Sequence, residues 1–273
     1  MSALEPREDP RATDERTGLR GRYEVPVDDP PWPARPDGWR HDVPDPPDAF
    51  PVPFGPGDAL LAVAWSVLAQ VLVFLPVAAS SLDIEQGPGL LIGLLAGQVL
   101  SLGGVLAWLA RRGRLSWRLL GPVRPRLRDL GLGVAVGASG WLVVTLLLLL
   151  ATLVVGEFEP PDQVLLERST EGGIVTYLAL AVAVLGAPVV EEVVFRGMLF
   201  QSLRYRIGLF PAMGISSIVW GLVHLLQPIY VVALALFGVW LAATFHRTGR
   251  LTVVVVAHAT FNVIALLLSF TAT

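Results

Sequence analysis

Residues 173–203 read GIVTYLALAVAVLGAPVVEEVVFRGMLFQSL, a run whose only charged side chains are Glu191, Glu192 and Arg196. A helix of roughly 20 apolar residues crosses the hydrocarbon core of a bilayer, so this stretch is long enough to span one. Its three charges sit where each costs about 2.5–3.5 kcal/mol on insertion scales. A membrane helix keeps such groups for chemistry or for a specific buried pairing. The stretch therefore implies an all-α, membrane-embedded fold, and it marks where function is to be sought.

The rest of the chain repeats the apolar pattern. Of 273 residues, 53% are hydrophobic and 16% charged, and the mean hydropathy is +0.62, too apolar for an ordinary soluble domain. Apolar runs predict a polytopic bundle of about seven transmembrane helices, over 58–80, 88–110, 130–155, 173–203, 209–226, 229–245 and 251–271. Residues 1–57 differ. They hold 13 of the 22 prolines and 19 charged residues, which reads as a disordered, Pro-rich cytosolic tail with no core-forming pattern and no signal-peptide apolar segment. Three parts are expected: the tail (1–57), three N-terminal transmembrane helices (58–156) and a four-helix core (157–273). Pairs Gly93/Gly97 and Gly133/Gly137 have the spacing that lets membrane helices approach closely.

Charge placement orients the bundle. The segment from Arg111 to Arg128 carries seven arginines and no acid, which the positive-inside rule assigns to the cytosol. The expectation is a multi-pass protein of the cell membrane with a cytosolic N-terminus and an external C-terminus, in contact with lipid. The net charge of −3 joins an acidic tail to a slightly basic remainder, and nothing in the pattern favours nucleic acid as a partner. With no cysteine, disulfides, thiolate metal sites and a cysteine nucleophile are excluded.

Ionisable residues inside the predicted helices gather in the last four: Glu191, Glu192 and Arg196, then His224, then His258 with Asn262 four residues on. Glu191 and Glu192 project about 100° apart on a helix, so their roles must differ. Arg196 follows Glu192 at the i+4 spacing of an ion pair. Glu191 and His224 are equidistant from a turn marked by Gly208 and Pro211, and a helical hairpin there places them at one depth, able to share a water. His258 and Asn262 lie on one face and can address a common centre.

Taken together, Glu191-Glu192-Val193-Val194-Phe195-Arg196-Gly197, Trp220 with His224, and His258 with Asn262 resemble the three motifs of the CAAX protease and bacteriocin-processing (CPBP, or Abi) intramembrane proteases, similar to type II CAAX prenyl endopeptidases. The resemblance covers about 95 residues, from roughly Ile174 to Leu268, with Trp220 where the motif often has phenylalanine. It implies an intramembrane endopeptidase acting on a membrane-associated peptide or protein substrate. Glu191 would activate water together with His224. His258 and Asn262 would stabilise the oxyanion, and Glu192 and Arg196 would orient the base. A carboxylate in a low-dielectric pocket suits proton transfer, and oxyanion donors there are worth several kcal/mol. Zinc is a possible cofactor: Glu191, His224 and His258 could supply a carboxylate and two imidazoles. The absence of His-Glu-x-x-His spacing favours the metal-independent form. Two other readings of the same residues are a non-catalytic scaffold or bacteriocin-immunity factor and a proton-coupled transporter.

Overall fold

The computed structural model describes residues 52, 54–79, 88–115, 126–156, 173–224 and 228–272, and among them helices account for all regular structure. Seven helices follow in chain order: α1 (Pro56–Ala79), α2 (Gly89–Arg111), α3 (Leu127–Val155), α4 (173–207), α5 (Leu209–Leu222), α6 (Pro228–Thr248) and α7 (Leu251–Ala272). Their ends follow local chemistry. At α1 the carboxylate of Asp58 accepts from Gly55 N (3.0 Å), and at α3 Asp129 accepts from Arg126 N (2.8 Å). Both place an anion where the helix dipole favours it. Gly208, with φ of 90°, turns α4 into α5, and Gly249, with φ of 61°, turns α6 into α7, a backbone region that only glycine enters at little cost.

Among the described residues six helices are long and apolar enough to cross a membrane, and the seventh, α5, is not. The expected span over 209–226 is corrected accordingly. At 14 residues and 1.5 Å per residue, α5 covers about 21 Å against a core of ~30 Å.

Small residues fix the helix pairs. Gly133 lies against Val256 of α7 and Gly137 against the Ala257 carbonyl, with no room for a Cβ at either, and Gly97 lies against the Gln70 side chain of α1. Gly221 of α5 meets the Val231 carbonyl of α6 in the same way. Between α1 and α2, Ser101 Oγ donates to Ser66 Oγ (2.7 Å), and Trp65 Nε1 donates to the Ser101 carbonyl (3.2 Å). Ion pairs join helix termini: Arg114 to Asp58 at 2.6 Å, and Arg250 to Asp129 at 2.5 Å. Leucines along α3, such as Leu149 and Leu153, stay exposed, as a lipid-facing surface requires.

The tail expected to be disordered lies, for residues 1–50, outside the described residues. Its end does not fit a solvated tether. Val52 is 2% exposed and Phe54 1%, and both belong to the core cluster that holds Met198, Leu199 and Phe200 of α4. The core thus begins ahead of residue 57, because an apolar side chain next to α1 is driven out of water whatever prolines surround it.

Candidate active site

Helix α4 departs twice from α geometry, with π-helical turns at Ala181–Gly186 and Glu192–Phe200. In a π turn the hydrogen bonds run i→i+5, which widens the helix and changes which side chains share a face. Glu191 closes the α-helical turn before the second π segment and Glu192 opens that segment. The two carboxylates consequently enter different surroundings: the Glu192 side chain is 0% exposed and that of Glu191 23%.

Glu192 points into the bundle. Its Oε1 accepts from Arg196 Nη1 at 3.0 Å and lies 2.9 Å from His258 Nδ1. Arg196 spends Nη2 on the Gly238 carbonyl of α6 (3.2 Å) and lays its guanidinium over the Trp220 ring at 4.7 Å. The ion pair is fully desolvated, so its integrity depends on both partners. With its hydrogen on Nδ1, the neutral His258 ring donates to Glu192 Oε1. One arm of the site is therefore a buried clasp joining α4, α6 and α7.

Glu191 points the other way, toward α5. Its Oε2 accepts from Trp220 Nε1 at 2.6 Å and sits 3.8 Å from His224 Nε2. The His224 Nδ1 is 2.7 Å from the Trp220 carbonyl, which can only accept, so Nδ1 carries the hydrogen. In the neutral ring Nε2 is then a bare lone pair facing a carboxylate oxygen. Two acceptors at that separation make no bond with each other, and a water can donate a hydrogen to each.

The same pair borders a cleft of about 170 Å³ between α1, α2, α4 and α5, lined by six apolar side chains and, besides the pair, by Ser66, Gln70, Gln98 and Ser101. Those four were missed by a reading that searched helices 1–3 for ionisable groups only. Uncharged polar residues at membrane depth were the available signal. Trp220 was read as a motif aromatic, although a buried indole N–H requires an acceptor. Gln98, 7% exposed, donates from Nε2 to the Val182 carbonyl in the first π segment (3.3 Å) and so ties α2 to α4.

Asn262 Nδ2 donates to the Ala183 carbonyl at 2.6 Å. The structure thus brings Glu191 to His224, and Glu192 to Arg196 and His258, while Asn262 anchors the first π segment. Glu192 engages His258 through Nδ1, which leaves Nε2 as the nitrogen a zinc ion would take. Among the described residues no three His, Asp or Glu side chains converge as a metal centre.

Residues 173–264, about a third of the chain, match the family model described as type II CAAX prenyl endopeptidase Rce1-like. The match covers α4, α5 and α6 and most of α7, and thus every ionisable residue of the site. No curated protein and no solved structure matches the chain.

Proposed function

We propose that this membrane protein is an intramembrane endopeptidase in which Glu191 activates a water held jointly with His224. The observation that carries the reading is the facing of Glu191 Oε2 and His224 Nε2 at 3.8 Å on the wall of a cleft within the bundle. The water oxygen forms a bond to the substrate carbonyl carbon as one of its hydrogens passes to Glu191. As the C–N bond breaks, that proton passes to the leaving amine. Glu192 and Arg196 hold the scaffold. The role implied for Asn262 at the oxyanion needs a donor beyond the Ala183 bond, and a primary amide has a second N–H to supply.

The substrate in this reading is a membrane-associated peptide or protein, reached through the cleft, and the arginine-bearing ends of α2 and α4 face the cytosol. The Rce1-like match supports peptide hydrolysis as the class of chemistry. The test is cleavage of a synthetic transmembrane peptide by purified full-length protein. Turnover by Glu191→Gln about 10²–10⁴-fold below wild type is expected, and equal turnover by the two proteins would overturn the reading.

A further inference from the structure

Trp220 is 1% exposed and is gripped on every side. The Arg196 guanidinium covers its ring at 4.7 Å. His224 and His258 meet it edge-on with centroids at 5.1 and 5.5 Å, and Phe237 closes the remaining side at 6.1 Å. A ring so enclosed has no freedom to turn, and the direction of its N–H is set by the core rather than by the acceptor it meets. That N–H ends on Glu191 Oε2 at 2.6 Å, the same oxygen that faces His224 Nε2.

We propose that Trp220 is a positioning residue for hydrolysis: its indole N–H holds Glu191 Oε2 against His224 Nε2, so that both acceptors address one water. The inference rests on the endopeptidase reading of the site. The chemistry favours this donor over a cation. Arg196 lies on the same ring, yet its Nη1 serves Glu192, so the two carboxylates are held by different means. A neutral N–H orients a carboxylate without cancelling its charge, and the carboxylate stays able to take a proton. A phenylalanine would fill the same aromatic space and would leave Glu191 without this restraint. The Glu191 side chain, bordering a cleft, would then rotate away from His224, because no other described residue donates to it. Hence this chain carries a restraint on its base that the phenylalanine form of the motif lacks.

The test uses full-length protein reconstituted with a cleavable transmembrane peptide. Trp220→Phe should lower kcat about tenfold or more, the scale of one hydrogen bond to a charged group, with KM unchanged. Trp220→Phe combined with Glu191→Gln should be no slower than Glu191→Gln alone, since the indole acts only through that carboxylate. Independently of activity, 5-fluorotryptophan labelling gives one ¹⁹F resonance per tryptophan, with Trp220 identified by replacing the other tryptophans in turn. Glu191→Gln should move that resonance. An unchanged kcat in folded Trp220→Phe, a further loss in the double variant, or an unmoved Trp220 resonance would each overturn the proposal. Wild-type protein that cleaves nothing while the resonance still moves would instead sink the endopeptidase reading and leave the contact standing.

Discussion

At the scale of single residues, the adjacent glutamates separate by environment. Glu191 borders the cleft and accepts from a neutral donor, whereas Glu192 is sealed in the core with a guanidinium and an imidazole. Glu191→Gln keeps volume and polarity but removes the proton acceptor, so turnover should fall about 10²–10⁴-fold with the protein still folded. Glu192→Gln leaves Arg196 buried without its counter-charge, a defect that costs about 3–5 kcal/mol. It should lower the thermal unfolding temperature of the purified protein together with its activity, and an unchanged unfolding temperature would contradict the clasp. The placement of Glu192 and Arg196 together was legible from their i+4 spacing. The convergence of His258 on Glu192 was not, because nothing local relates positions 66 residues apart.

Among the elements, α4 carries most of the site and its two π turns decide which way each side chain leaves the axis. The depth match of Glu191 and His224 could be read from their equal distance to a point between Ile207 and Gly208, since a hairpin preserves distance from its turn. The π turns could not, because an i→i+5 pattern has no side-chain periodicity that distinguishes it from an ordinary apolar helix. Close helix crossings make a sharper prediction. Gly137→Ala would drive a Cβ into the Ala257 carbonyl of α7 and should destabilise the α3–α7 pair, lowering the unfolding temperature. Gly103→Ala meets nothing within 4 Å and should be neutral or raise stability by up to about 1 kcal/mol, as alanine does in a helix interior. Equal responses of the two variants would mean that α3 and α7 are not in contact as described.

For the molecule as a whole, the core extends N-terminal to α1 through Val52 and Phe54. Deleting residues 1–50 should therefore leave an inserted, active protein. Phe54→Ala should cost about 3–5 kcal/mol, the usual range for a buried phenylalanine. Loss of insertion in the deletion, or indifference to Phe54→Ala in thermal unfolding, would refute that boundary. Orientation is testable because the chain has no cysteine. Single cysteines at Arg118 and Glu159 should differ in intact cells, with position 159 labelled by an impermeant thiol reagent and position 118 protected. The reverse pattern would invert the proposed topology. Hydropathy and charge placement determined that this chain is an all-helical membrane bundle, because the cost of burying charge and unpaired backbone in lipid acts on composition and needs no tertiary detail. Motif order likewise marked the helices over which the Rce1-like family model matches. Only the tertiary structure decided that α5 is too short to span, that Phe54 lies in the core, that Trp220 donates to Glu191 and that Asn262 donates to the Ala183 carbonyl of α4. Each of these depends on which surfaces meet across the bundle, and contact between distant segments is set by their mutual fit rather than by the residues of either one.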